Sequence, residues 1–322
     1  MLFLALAVAC SLGIAVIFKL AEKREMDRTA LLTVNYAAAA VLALALQGVG
    51  RAEGITPGLV ALGVTQGVLF IVGFWLFSLA IKLAGMGLAA GVMRLSVVIP
   101  VLASWAIWGE VPGTLQLVGL ALAGGAFVLV SRPAGSPGKR GPGVEPEEAS
   151  ASFSASPAGV ALVLGLLFLS GGAVDTVMKA FDEGFASTVD KPLFLLFVFG
   201  VAFLVGAVAV VWTGWRTGRW PRGAVVGWGV LLGLINYGSA DFLLRAVAVL
   251  SGPVVFPANS VAIVLGAALL GWLIWKERLS RANLAGLALA LVALACLTAE
   301  PKEEMPLPEE PSSIARVYAL HA

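Results

Sequence analysis

The runs GMGLAAGVMRLSVVIPVLASWAIWGEVPGTLQLVG, residues 85–119, and GPVVFPANSVAIVLGAALLGWLIWKERLSRANLAG, residues 252–286, align without a gap at a shift of 167 residues. The shift pairs Gly85 with Gly252, Trp108 with Trp275, Glu110 with Glu277, Gln116 with Asn283 and Gly119 with Gly286. Each run reads as two apolar helices joined at its glutamate. A chain that carries this unit twice is built from two related halves.

The solvent of those halves follows from composition. Of 322 residues, 60% are hydrophobic and only 12% are charged, against roughly 25% charged in soluble domains. Apolar runs are continuous over about twenty residues and rich in Leu, Ala, Val and Gly, without the alternation of an outer-membrane barrel. The spans are therefore helices in a bilayer, and the fold class is an all-α integral membrane protein. A net charge of +2 spread over short loops leaves nucleic acid out as a partner. Cys10 and Cys296 lie in apolar runs, and His321, the one histidine, is in the tail, so neither a metal site, a cofactor nor a hydrolytic triad is expected. The apolar start of the chain has no basic residue before it and continues to Phe18, which marks a first transmembrane helix rather than a signal peptide.

Windows of about twenty residues place spans near 2–19, 30–48, 57–82, 87–108 and 114–130, then near 157–180, 192–213, 224–250, 253–275 and 282–297. Between the two sets, residues 133–156 are Pro, Gly, Ser and charge and read as a disordered linker. Residues 301–322 read as a disordered tail. The expected organisation is thus a five-helix repeat over 1–132 and a second over 157–300. Five spans per half is odd, so the second half enters from the opposite side and the repeat is inverted. Lys and Arg concentrate in the odd-numbered loops, among them Lys19, Lys23, Arg24, Arg28, Lys82, Arg216, Lys276 and Arg281. The positive-inside rule then puts those loops in the cytoplasm and both termini outside.

Charge inside a span costs about 2.5–3.5 kcal/mol on the insertion scale, so each such residue calls for a cavity, a partner or a function. Arg94 has Gly91, Ala90 and Gly87 on its own face, which leaves space around a guanidinium able to bind a carboxylate or phosphate bidentately. Pairing with Asp175 or Asp241 is the alternative. Tyr237, Asp241 and Arg245 recur at i, i+4 and i+8 with Asn236 at the border, either a stripe facing a central cavity or a self-neutralising brace. Asn259 and Ser260 follow Pro253 and Pro257, where broken backbone pairing and side-chain amides can serve a solute. Asn35, Gln66 and Ser170 read as polar contacts between helices, and Gly63–Gly67 and Gly229–Gly233 as close-approach spacings.

The doubled stretch, AAGVMRLSVVIPVLASWAIWGEVPGTLQLVGLALAGGAFVLV at 89–130 and SVAIVLGAALLGWLIWKERLSRANLAGLALALVALACLTAE at 260–300, resembles the drug/metabolite transporter superfamily, specifically its EamA-like ten-helix proteins. That resemblance implies two inverted five-helix bundles around a central solute cavity, alternating access, and solutes among amino acids, metabolites and small toxic organics. A departure is Ala267 opposite Pro100, so a hinge at Pro100 is not shared by the second half.

The expected function is a secondary transporter of a small polar or amphipathic organic solute in the bacterial inner membrane, export slightly favoured, with a homodimer possible and no enzymatic activity. Substrate-binding candidates are Arg94, Asn236, Tyr237, Asp241, Arg245 and Asn259, and Asp241 or Asp175 would respond to protons. The alternative is a sensor or partner subunit on the same scaffold, which predicts a collapsed, apolar centre. Glu110 and Glu277 are expected at helix ends, favourable to the N-terminus of the helix that follows.

Overall fold

The computed structural model describes residues 1–24, 26–47, 55–84, 86–130, 157–218, 220, 223–276 and 281–299. The expected linker at 133–156, the tail at 301–322 and Glu277 lie outside them. All regular elements among the described residues are helices: α1 Leu2–Lys23, α2 Arg28–Gln47, α3 Pro57–Ala84, α4 Met86–Leu95, α5 Val98–Trp108, α6 Thr114–Val130, α7 Pro157–Phe185, α8 Lys191–Thr217, α9 Gly223–Val247, α10 Gly252–Trp275 and α11 Arg281–Thr298. Among the described residues nine spans are long and apolar enough to cross a membrane, α4 and α5 counting together as Ala89–Trp108, and Thr114–Leu129 is a shorter apolar helix. Their outer surfaces carry exposed Val41, Leu44, Leu102, Ile107, Leu204, Val208 and Leu291, the surface a lipid solvent accepts and water does not.

One expected span is broken. The helix predicted over 87–108 stops at Leu95 and restarts at Val98. Pro100 has no N–H for the Ser96 carbonyl, and its ring crowds that position. The carbonyl instead takes the Ile99 N–H at 2.9 Å, and the Ser96 hydroxyl donates to the Met93 carbonyl at 2.6 Å. Helix α7 admits the irregular turn because Gly171 and Gly172 lie against it; a Cβ on Gly171 would come within 2.6 Å of Ser96 Oγ. In contrast, α10 runs unbroken through Ala267 even with Pro257 inside it.

Where the two copies of the doubled stretch end their helices, they share a backbone conformation. Gly109 caps α5 at φ 71°, and Lys276, its partner at the 167-residue shift, caps α10 at φ 54°. Glycine adopts this left-handed conformation freely, whereas lysine is strained there.

Packing pairs the halves in a regular way. Counting α4 and α5 as one span, the largest contacts of the first half have counterparts in the second. Helix α1 packs on α9 as α7 packs on α3; α2 packs on α9 as α8 packs on α3; α2 with α8, α5 with α10 and α6 with α11 map onto themselves. The glycine pairs sit at equivalent seams: Gly63 and Gly67 of α3 against Phe197 and Val201 of α8, Gly229 and Gly233 of α9 against Val34 and Ala38 of α2. The core between them is aromatic, with Tyr36, Phe181, Phe194, Phe199 and Tyr237 buried in one cluster.

Candidate functional site

The centre of the bundle is open rather than collapsed. A cavity of about 560 Å³ is walled by α1, α2, α3, α4, α7, α9 and α10, within the roughly 300–1,000 Å³ typical of small-molecule sites. One wall is aromatic and apolar, built from Phe18, Phe70, Phe74 and Phe77 among others. Facing positions are polar: Arg94 at the broken helix, Asp175 on α7, Asn35 on α2, Asn236 on α9, and Asn259 and Ser260 on α10.

Arg94 and Asp175 are close enough for each to act on the other electrostatically. Neither forms a hydrogen bond or an ion pair with any described residue, so the alternative of a closed pair at Arg94 is not what the fold adopts. The irregular turn at Ser96, which Pro100 forces, lies directly beyond Arg94 in the chain. The amides are partly used: Asn236 Nδ2 donates to Asn35 Oδ1 at 3.2 Å. Asn259 Oδ1 and Ser170 Oγ, also on the cavity wall, are buried with no hydrogen-bond partner among the described residues.

The stripe of Tyr237, Asp241 and Arg245 does not join them, which corrects the expectation that it faces the cavity. Helical residues step by about 100°, and α9 turns Leu232 and Asn236 toward the cavity, carrying Tyr237 and Asp241 off to one side. Asp241 is held by its own helix: Arg245 Nε donates to Oδ2 at 2.6 Å and Nη2 to Oδ1 at 3.3 Å. The Arg245 side chain is 45% exposed, with its guanidinium 5.9 Å from the Phe3 ring centre. Tyr237 packs against Phe199 at 6.3 Å, and its buried hydroxyl has no partner among the described residues.

A second constellation went unread in the sequence. Lys179, 2% exposed near the end of α7, donates to Glu110 Oε1 at 2.8 Å and pairs with Glu183 at 2.7 Å. The other Glu110 oxygen accepts the Gly252 N–H at 2.7 Å, at the first turn of α10. Glu110 thus serves a helix N-terminus, but that of α10 rather than of α6, which follows it. The Gly113 N–H near the start of α6 goes to Gln116 Oε1 instead, at 3.0 Å. A lysine buried in an apolar helix one turn before a glutamate was the available signal.

The clamp closes one end of the bundle, and the cavity extends from the centre toward the other end. Phe3 beneath Arg245 puts the start of α1 and the end of α9 at one end, and Gly58 against Phe185 adds the start of α3 and the end of α7. The clamp lies there. Cavity residues fall in the later part of α1 (Ser11 to Phe18), the later part of α3 (Leu69 to Phe77) and the earlier part of α2 (Leu32 to Tyr36), all displaced toward the other end.

Spans and apolar exterior define the class: an integral, multi-pass membrane protein, helical throughout its described regular elements. Residues 1–132 match the model of the EamA-like transporter family, within the drug/metabolite transporter superfamily. Proteins of that family are in general transporters and not enzymes. An uncharacterised protein of Haemophilus influenzae is 25% identical over 304 residues, 90% of this chain and 95% of its own length. A solved crystal structure covers 92% of this chain and 96% of its own with a TM-score of 0.68 at 16% identity, a likeness of fold.

Proposed function

We propose that this chain is a secondary transporter that moves a small polar or amphipathic organic solute by alternating access between two inverted five-helix halves. The observation that carries the reading is the cavity of about 560 Å³ on whose wall Arg94 and Asp175 stand with no hydrogen-bond or ion-pair partner among the described residues. Charge is retained at such depth where a solute or a water-filled path needs it. A sensor or partner subunit on the same scaffold calls for a collapsed centre, and the open cavity speaks against it.

The matching seams of α1 and α2 on α9 and of α7 and α8 on α3 support a repeat, and an odd number of spans in each half makes it inverted. Lys19, Lys23, Arg24, Arg28, Lys82 and Arg216 gather at the bundle end toward which the cavity lies, so the positive-inside rule assigns that end to the cytoplasm. In this reading the solute site faces inward while the Glu110–Lys179–Gly252 clamp seals the outer face. Outward opening then requires the clamp to part, and Asp175, not Asp241, is the carboxyl group placed to couple protons to that step. Glu277 is the sequence counterpart of Glu110 in the other half.

The test is flux. Full-length protein in proteoliposomes loaded with a radiolabelled pool of amino acids, organic acids and amines is expected to release part of that pool, and Arg94→Ala is expected to abolish the release. Release no faster than from empty liposomes, together with a cysteine at Met93 that reacts with impermeant maleimide from one face only under every condition, would sink the transporter reading.

A further inference from the structure

The glycine seam between α3 and α8 ends before the helices do. Both run the same way from the clamped end, and Gly63 and Gly67 lie against Phe197 and Val201. One and two turns further on, the same faces carry Ile71 and Trp75 on α3 and Val205 and Ala209 on α8, and the bulkier α3 residues hold the helices apart. The gap is a groove of about 320 Å³. Helix α2 closes it from behind, approaching α8 so nearly that a Cβ on Gly206 would come within 2.7 Å of Thr33 Oγ1. In the other half the positions that continue the Gly229–Gly233 seam are Tyr237 and Asp241, both buried, whereas Trp75 is 63% exposed on the apolar exterior. Leu32, Tyr36 and Phe74 line both this groove and the central cavity and form the partition between the two spaces.

We propose that this groove seats an acyl chain of an anionic phospholipid, with the phosphate held at the end of the bundle away from the clamp. The chemistry along the groove changes in the order that such an amphiphile does. At its mouth each walling helix brings one exposed cation. Lys82 is one turn beyond Ser78 and Arg216 two turns beyond Ala209 on the same helix faces, and Arg28 immediately precedes Thr29. The hydroxyls of Thr29 and Ser78 come next, where glycerol esters would lie, and then Ile71, Phe74 and Val205, which accept hydrocarbon. Neither α3 nor α8 carries an acidic residue, and the Asp27 carboxylate accepts the Thr29 and Ala30 N–H groups at 2.9 and 3.1 Å. Arg216 lies 4.5 Å from the Trp212 ring centre, an aromatic and basic pair of the kind found at the membrane interface. Basic pockets between membrane helices bind phosphate head groups. A head group that also carries an amine gains less at a cationic mouth, so the anionic lipid is the one selected. The site stands apart from whatever the cavity carries.

The experiment reconstitutes the full-length protein in phosphatidylcholine vesicles that carry a fraction of phosphatidylglycerol, with brominated acyl chains on one lipid or the other to quench tryptophan on contact. Subtracting the signal of Trp75→Phe isolates Trp75. Brominated phosphatidylglycerol is expected to reach Trp75 with about tenfold preference over brominated phosphatidylcholine. Lys82→Gln should cut that preference by about fivefold, the worth of one cation near the surface. Arg281→Gln, at the same end on a helix that does not wall the groove, should leave it unchanged. Ala209→Phe, which fills the groove from α8, should abolish it. If that variant fails to fold, competition on the unaltered protein decides: short-chain phosphatidylglycerol should displace the brominated lipid and glycerol phosphate should not. Equal quenching by the two lipids would leave only ordinary surrounding lipid and overturn the proposal. So would an equal loss in Arg281→Gln and Lys82→Gln, which means diffuse surface charge, or displacement by glycerol phosphate, which means a head group bound without its chain. A brominated fatty alcohol preferred as strongly as phosphatidylglycerol would make the groove an unselective apolar passage and overturn it too.

Discussion

Glu110 and Lys179 meet at 2.8 Å across the boundary between the two halves, the lysine almost fully buried and the carboxylate shared with the first turn of α10. Three helices, α5, α7 and α10, are thereby fastened at one end of the bundle by a single side chain.

Glu110→Gln should loosen that end first. Lys179 keeps Glu183, so the expected loss is about 1–3 kcal/mol rather than the larger cost of stranding a buried charge. Thermal unfolding in detergent measures it, and a cysteine at Ser104 should become reactive from the clamp side. Lys179→Met alone should destabilise, while the double variant should recover part of the loss, since both halves of the pair are gone. Strictly additive losses would mean that the pair contributes nothing as a pair.

The left-handed caps offer a paired substitution. Lys276→Gly should relieve a strained backbone and stabilise by about 0.5–1 kcal/mol, and Gly109→Lys should destabilise by about 1 kcal/mol. Unfolding midpoints of the two variants moving in the same direction would contradict the shared conformation.

Pro100→Ala should let the Ser96 carbonyl regain an i→i+4 bond and α4 run into α5. Amide exchange across residues 96–101 is expected to slow. Solute binding is expected to fall, because the irregular turn that holds Arg94 at the cavity is lost. Unchanged binding alongside slowed exchange would separate the break from the site.

Asp241→Asn should leave solute binding within about twofold and cost about 0.5–1 kcal/mol, the worth of a half-exposed pair one helical turn apart. Asp175→Asn should do the opposite, changing ligand preference with little effect on the unfolding midpoint. A loss of binding in Asp241→Asn would return the α9 stripe to the site.

Much of the fold was legible because apolar runs report spans directly. Helix ends shifted by up to about a turn and a half, as α7 did in running on to Phe185 where polar residues Lys179, Asp182 and Glu183 still fit a helix. The broken span was missed although Pro100 was in view, since a proline within a membrane helix is as often absorbed as obeyed. Arg94, Asn236 and Asn259 fall on the cavity, and Tyr237, Asp241 and Arg245 do not. Spacing identifies residues that share a helix face but leaves open which face looks inward; the rotation of α9 is set by its glycine contacts with α2. The role of Glu110 was hidden for a similar reason: its partners are 69 and 142 residues away, and no local pattern names them.

Burial also sets how the clamp answers salt. Lys179 is 2% exposed and the Glu110 side chain 22%, so mobile ions screen their attraction less than they would a surface pair. The clamped end of the bundle should therefore hold nearly as well in concentrated salt as in dilute.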